Sequence, residues 1–571
     1  MNNPWKPPAV GAALIILLTL AAYTPALRGG FVWDDDSYVT ENPTLRSPGG
    51  LAAIWFKPGA TYQYYPLVFT SFWTEYHLWK LQPFGYHLVN VLLHALNAIL
   101  LWRVLRCLQI PGSWLAAAIF AVHPVMVESV AWITERKNVL SGLFYLLAAL
   151  AWLRFRPLTA TESERTPDWR FYGLASGLFV CALLSKTVTC SLPVVLALVI
   201  WWKTGRIEKR DILALTPWLL LGAASGFTTR WLEQRLVAGG TEWDLSFVQR
   251  CLIAGRALWF YAAKLCWPRP LSFVYPRWDI DAGAAWQYAF PLAALAVLAV
   301  LWLLRSRIGK GPLVAALFFA VTLAPALGFF NVYPFRYSFV ADHFQYLASI
   351  GLITLVASAG TVAFRKAGQR VHGLGAAVAA VILLLLGMAT WTQAQAYDSL
   401  ESLWRDTLAK NPNAWLAHNN LGALLREAGK TDDAIAQFKE ALRIKPDLPE
   451  AHYNLGVTLA RLDRFPEAIE QYDQALRLKP DFAEAHYNFG IALAETGRIP
   501  EAMDHWKQAL QLKPDYAEAH FNLGLMLAAQ GQTTGALTHY RAALELANQS
   551  GNTSLATSVS SRIKMMADTP R

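Results

Sequence analysis

Cysteine is scarce in this chain. Five occur in 571 residues, at positions 107, 181, 190, 251 and 266. None falls in the last third of the chain, and no two have a zinc-like spacing, so a structural-zinc reading is set aside. The cysteines say nothing about the compartment in which the tail folds. Charge is the second scarcity. It is sparse up to about Thr390 and frequent afterwards, although 55% of the whole is hydrophobic. The shift marks a membrane part followed by a soluble part. A convincing cleavage site is also missing after the first apolar segment, Val10–Ala22, so it reads as a retained helix rather than a signal peptide. The net charge of +10 could suggest nucleic acid. In the membrane part, however, the positive residues sit in short loops between apolar segments, as the positive-inside rule requires.

A membrane-spanning helix needs ~20 mainly apolar residues. Eleven segments qualify as candidates: 9–27, 86–106, 113–131, 138–155, 170–186, 188–203, 212–231, 286–304, 311–330, 345–364 and 373–391. Lys and Arg follow the even-numbered spans, as at Arg103/Arg106, Arg154/Arg156, Lys203/Arg206, Arg305/Arg307 and Arg365/Lys366. That face is read as cytoplasmic. The amino terminus is then inside, and the loop 28–85 and everything after the last span are outside. The apolar stretch 249–267 contains Arg256 and Lys264 and must start and end outside. It reads as an amphipathic helix in the outer interface.

The outer loop 28–85 opens on FVWDDDSYVTEN, residues 31–42. It is too long for a simple connection and too aromatic for disorder. Group transfer onto a hydroxyl needs a base for the hydroxyl proton. It also needs cations or donors for an anionic leaving group. Asp34 or Asp35 suits the first role. Arg136, Lys137, Lys186 and His343, at the outer ends of spans, are candidates for the second. His123, followed by Pro124, and Glu128 lie near them. The bland alternatives are a solvated, capped turn for the aspartates and snorkelling beside Glu135 for Arg136 and Lys137. No spacing resembles a metal motif. A divalent cation on the aspartates is compatible with the residues, and no cofactor is assigned.

Four stretches, FVWDD at 31–35, QPFGYHLVN at 82–90, HPVMVESVAW at 123–132 and ADHFQYLASIG at 341–351, carry a resemblance. The membrane part resembles glycosyltransferases of the GT-C class. More narrowly, it is similar to the family that joins protein O-mannosyltransferase-like membrane domains to tetratricopeptide repeats. The resemblance implies a polyprenyl-phosphate-sugar donor, an outer-face active site and an inverting transfer. It places the family's acidic pair on Asp34 and Asp35, and its His-Pro and Glu motif on His123, Pro124 and Glu128. The chain departs from the family at Met126, where relatives have a second His. It departs again at Glu135-Arg136-Lys137-Asn138 in place of Gly-Arg-Ala-Asp, at Tyr64-Tyr65-Pro66 in place of Tyr-Arg-Pro, and at Lys186-Thr187 in place of Lys-Glu. These changes fall where phosphate and sugar would be held, so mannose does not follow from the resemblance.

After Trp391 the period changes. Gly422, Gly456, Gly490 and Gly524 are each 34 residues apart, as are Pro446, Pro480 and Pro514, and Ala434, Ala468, Ala502 and Ala536. This is the tetratricopeptide pattern, two antiparallel helices per unit. It gives four units, 413–446, 447–480, 481–514 and 515–548. A connecting helix is expected within 393–412, and a capping helix with a frayed tail over 549–571. Asn420, Asn454, Asn488 and Asn522 repeat in register and are expected to line the concave face. There they could pair with an acceptor peptide, beside Tyr453 and Tyr487. The parallel His418, His452, His486 and His520 read as packing.

The sequence therefore predicts an all-α protein: a polytopic bundle of about eleven spans over 1–392, then an α-solenoid. The predicted function is transfer of a sugar from a polyprenyl-phosphate donor to an acceptor hydroxyl, with protein Ser/Thr favoured, on the outer face of the cytoplasmic membrane. Its partners are donor, polypeptide or glycan acceptor, membrane lipid and proteins bound by the repeats. Two alternatives stand beside it. One is the same enzyme acting on an envelope glycan or lipid. The other is a non-catalytic membrane-anchored scaffold.

Overall fold

The computed structural model describes residues 8–158, 168–236, 244–368 and 372–568. Among them there are helices and turns and no strand. The chain divides into two compact units, Met1–Pro412 and Asn413–Arg571.

The first unit starts with α1 (Ala9–Ala22). Short turns and the helices α2 (Pro43–Arg46) and α3 (Gly50–Phe56) lead to α4 (Pro66–Trp79) and α5 (Pro83–Cys107). Pro66 and Pro83 stand in the first turns of their helices, where a missing N–H costs nothing. Then come α6 (Ser113–Val122), α7 (Val127–Ala131), α8 (Arg136–Phe155), α9 (Trp169–Leu183), α10 (Leu192–Thr204) and α11 (Lys209–Leu236). The unit closes with α12 (Phe247–Cys266), α13 (Ala289–Leu303), α14 (Arg305–Ile308), α15 (Gly311–Leu323), α16 (Ser349–Lys366), α17 (His372–Ala394) and α18 (Leu400–Lys410).

Every expected span has a helix, but they are not alike. Among the described residues, six helices are long and apolar enough to cross a membrane. A further candidate, the expected span 113–131, is not continuous. It bends by 56° between α6 and α7. The cause is local: the ring of Pro124 pushes His123 out of the helical region, to φ −80° and ψ 128°. The chain beyond the bend is buried throughout, from Pro124 to Glu135. The apolar helices α1 and α9, and the stretch Gly311–Ala326, are shorter than a full span. In α13 no residue is buried, and Leu292, Leu295 and Leu303 are exposed, as on a helix facing lipid.

The loop 28–85 is ordered by aromatic packing. Tyr38, Leu45, Ile54, Phe69, Phe72 and Tyr86 form one buried cluster with Ile133, which fixes the loop to the start of α8. The charged residues of α12 are accommodated at its surface. The Arg256 guanidinium stacks 4.5 Å from the Trp278 ring, and Lys264 donates to the Pro270 carbonyl.

The second unit is four helix pairs: α19 (Trp415–Glu427) with α20 (Thr431–Ile444), α21 (Pro449–Ala460) with α22 (Phe465–Leu478), α23 (Ala483–Glu495) with α24 (Ile499–Leu512), and α25 (Ala517–Ala529) with α26 (Thr533–Ser550). A last helix, α27 (Thr553–Asp568), covers the end. The expected frayed tail at 569–571 lies outside the described residues. The repeating glycines have a direct physical reason. A Cβ at Gly422, Gly456, Gly490 or Gly524 would come within 2.8, 2.7, 2.5 and 2.8 Å of the buried rings of Phe438, Tyr472, Trp506 and Tyr540. Each pair thus seats an aromatic of its second helix against a bare backbone in its first.

Candidate active site

Trp33 has φ +51°, a left-handed conformation that costs energy for a bulky residue. Its ring is held edge-on against Trp404 at 5.1 Å and Phe273 at 6.3 Å. The strained turn points the next two carboxylates in different directions. Asp35 goes inward and is fully buried. One oxygen accepts from the Val32 N–H at 2.8 Å. The other accepts from the Thr134 N–H at 2.8 Å and the Thr134 hydroxyl at 2.5 Å. Burial pushes this carboxyl up to about 7, against the pull of those three hydrogen bonds. Asp35 therefore ties the acidic loop to the turn before α8.

Asp34 is half-buried, and among the described residues its carboxylate accepts no hydrogen bond. Burial raises it to about 6; Lys137 and His343 pull it down, and Glu135 pushes it up. Its carboxylate is thus left without a structural hydrogen bond, with its titration raised toward neutral pH by burial. Asp36 is exposed and accepts from the Thr40 hydroxyl at 2.9 Å.

Beside Asp34 lies a compact charged cluster. The buried carboxylate of Glu135 is shared by Lys137 at 2.9 Å and Lys186 at 3.3 Å. Lys186 also donates to Oδ1 of Asn138 at 2.7 Å. Asn138 in turn donates to Glu135 at 2.6 Å, to Ser129 at 3.0 Å and to the His343 carbonyl at 3.1 Å. Two lysines thus share one carboxylate. Lys186 is lowered to about 8, first by burial and also by Lys137, with Glu135 opposing. Glu128 positions His343: it accepts the His343 backbone N–H at 2.8 Å and lies 3.1 Å from Nδ1, an ion-pair distance without proper hydrogen-bond alignment.

Lys137, Asn138, Lys186 and His343 all line one cavity of about 520 Å³. Its remaining wall is mostly apolar, with Val188, Ala223, Phe227, Phe330 and Phe344, and Arg230 also lines it. The pocket is thus cationic at one end and greasy along its length.

The structure does not bring every expected residue here. Arg136 is fully buried in a cluster of its own. It pairs with both oxygens of Glu75, at 2.6 and 3.2 Å, and donates to Ser71, to the Tyr86 carbonyl and to Asn90. Its N–H groups are consumed, so it cannot hold a phosphate. His123 is also removed from the pocket. Its Nε2 meets the Leu265 carbonyl at 3.0 Å, and its Nδ1 accepts from the Val125 N–H at 3.4 Å, capping the turn after the bend. Sequence reasoning missed Glu135 and Asn138 as members of the cluster, although both stand at departures from the family pattern. It also missed Asp342, whose buried carboxyl is raised by burial and accepts the Tyr275 hydroxyl at 3.0 Å on both oxygens. Among the described residues no three His, Cys, Asp or Glu side chains converge as a metal-binding group.

In the repeats the asparagine ladder is engaged between neighbours. Asn454 donates to Asn419 at 3.2 Å and accepts from Arg426 at 3.0 Å. Asn488 donates to the Tyr453 hydroxyl at 3.1 Å, and Asn522 to the Tyr487 hydroxyl at 3.4 Å. Asn420 accepts from Asn419 at 3.4 Å. Asn454, Asn488 and Asn522 with Tyr453 and Tyr487 thus link successive first helices, while the Asn420 contact stays within its own helix. The four histidines each face the residue 19 positions later: Gln437, Gln471, His505 and His539, at 2.7–2.9 Å.

Comparison with known proteins agrees with this division. A TPR repeat family model matches residues 422–463, 461–497 and 490–531, and a tetratricopeptide repeat model matches 517–550. Protein O-mannosyl-transferase F38B6.6 of Caenorhabditis elegans is 24% identical over 76% of this chain and 62% of its own length. Protein O-mannosyl-transferase TMTC1 of Homo sapiens is 26% identical over 76% of this chain and 55% of its own. TMTC3 of Mus musculus is 33% identical over 25% of this chain and 16% of its own. The chain spans little more than half the length of the long matches. The chain is similar to those transferases across most of its length and carries tetratricopeptide repeats after its apolar part.

Proposed function

We propose that this protein is an integral membrane glycosyltransferase that moves a sugar from a polyprenyl-phosphate donor to an acceptor hydroxyl on the outer face of the membrane. The observation that carries the reading is that Asp34, a half-buried carboxylate with no hydrogen-bond partner among the described residues, lies within the field of Lys137 and His343, which line a cavity bearing lysines and an otherwise mostly apolar wall. The lysine end suits a phosphate and the apolar wall suits an isoprenoid chain. Asp34 accepts the proton of the acceptor hydroxyl as its oxygen attacks the anomeric carbon. The bond from that carbon to the phosphate oxygen breaks on the opposite side, which inverts the centre. The released phosphate keeps the bonding electron pair, and Lys137 and Lys186 offset its charge. His343, held by Glu128, lines the same cavity and orients donor. Asp35 positions Asp34 rather than reacting.

The repeats recruit a polypeptide, with Ser/Thr of that polypeptide as the favoured acceptor. The test is transfer by the full chain from a panel of polyprenyl-phosphate sugars to peptide and glycan acceptors. Donor consumption abolished by Asp34→Asn is the expected result. Full turnover by that variant overturns the assignment.

A further inference from the structure

A second cavity lies in the first unit, away from the site just described. It is a groove of about 600 Å³ between α5, α8, α10, α15 and α16. Its walls are apolar and include Leu105, Leu196, Val199, Phe318 and Leu355. On α16 its lining runs from Ile350 to Lys366, on one face of the helix. At ~1.5 Å per residue that is roughly 24 Å, most of the depth of a bilayer's hydrocarbon core. Only one end is charged. Lys203, in the last turn of α10, and Lys366, the last residue of α16, form its cationic rim, beside Gln109. Lys203 donates to the Leu108 carbonyl at 2.5 Å and keeps two further N–H groups, while Lys366 is exposed.

The topology gives the groove a place. The four helices that share it with α5 have their other ends at the lysine cavity. Lys137 and Asn138 open α8, Lys186 precedes α10, Pro325 follows α15, and His343 precedes α16. The groove's cationic rim is therefore at the opposite ends of those helices from Asp34.

We propose that this groove is a binding site for an anionic glycerophospholipid. One acyl chain lies along the α10, α15 and α16 walls, and the phosphate sits on Lys203 and Lys366. The occupant is set by charge and shape together: a long apolar trough closed at one end by two cations and no carboxylate. A zwitterionic lipid fills the trough but gains less at the rim. The bound lipid braces the same helices whose far ends hold the phosphate-binding lysines. The assignment does not depend on the transferase reading.

The test is native mass spectrometry of the full chain in detergent, titrated with phosphatidylglycerol and, separately, with phosphatidylcholine. Wild type is expected to retain phosphatidylglycerol in preference. Lys203→Gln with Lys366→Gln should weaken phosphatidylglycerol roughly thirtyfold, from two surface cations, and leave phosphatidylcholine unchanged. Ala359→Trp, at an exposed groove position, should reduce retention of both by filling the trough. A lipid-free melting temperature equal to wild type shows that the variants fold. Equal retention of the two lipids by wild type overturns the proposal. So does an unchanged phosphatidylglycerol affinity in the lysine variant, or tighter binding of a polyprenyl phosphate than of phosphatidylglycerol in the trough that Ala359→Trp fills.

Discussion

Replacing each of the two central aspartates by asparagine separates a chemical role from a structural one. Asp34 accepts no hydrogen bond among the described residues, so Asp34→Asn removes a base and little else. At pH 7 it should leave stability unchanged or raise it, because burial already disfavours the Asp34 carboxylate. Its effect on turnover should be large, on the order of 10²–10⁴, the usual contribution of a positioned base. Asp35→Asn behaves in the opposite way. Its two oxygens accept three hydrogen bonds, two of them from backbone N–H groups on separate segments. An asparagine has one acceptor oxygen, so its NH₂ must face one of those donors. That leaves a buried N–H unpaired, at a cost of roughly 1–3 kcal/mol. Thermal unfolding of the full chain in detergent and donor consumption should therefore move in opposite orders for the two variants. The pH profile adds a second reading. Asp34 must be deprotonated, so kcat/KM should rise through about pH 6. Lys186 must be protonated to hold phosphate, so it should fall above about pH 8. In Asp34→Asn the residual activity should lose the acidic limb and keep the alkaline one. An active Asp34→Asn beside a stable but inactive Asp35→Asn would refute the assignment of roles.

Further outcomes follow from the neighbouring groups. Lys186→Met should raise the donor KM more than it lowers kcat, and should shift the alkaline limb, because it removes one of two cations from the phosphate end. Arg136→Met should destabilise the first unit by about 3–5 kcal/mol, since it strands the buried Glu75 carboxylate; a denaturation series reads it, and a simple loss of donor affinity without loss of stability would contradict the structural role. Gly490→Ala should cost roughly 1–3 kcal/mol in the repeats, because the added methyl meets the Trp506 ring. His505 is held down to about 4 by burial and by His486, so its folded form prefers to be neutral. The stability it contributes is complete above about pH 6.5 and is lost as pH falls toward 4. Protection factors of the 483–512 amides, corrected for the intrinsic exchange rate at each pH, should therefore fall on acidification. His505→Gln, which copies the pairing of His418 with Gln437, should remove that dependence.

How much was legible beforehand depended on the range of the interaction. The repeats could be read almost residue by residue. Their period of 34 is a local constraint, because each glycine must face an aromatic of its own helix pair. The apolar segments were legible for the same reason, since burying backbone in lipid demands a continuous helix. The bend at His123 was half-visible, as Pro124 was there to be read and the burial beyond it was not. The aspartates stood out because carboxylates among aromatics are costly beside a membrane. Which of them is free could not be read, because Asp35 finds its donors 99 residues away at Thr134.

The sequence by itself determined the class of this protein: an apolar helical part with an acidic loop, followed by tetratricopeptide repeats. Those properties rest on period, hydropathy and local motifs. Only the tertiary structure decided the composition of the site. It assigned Arg136 to a buried pair with Glu75, brought Glu135 and Asn138 into contact with Lys186, and turned the asparagine ladder into inter-repeat hydrogen bonds. A charged side chain takes its role from whichever opposite charge lies within a few ångströms. In a helical bundle that partner is set by packing between segments far apart in the chain, which no local pattern records.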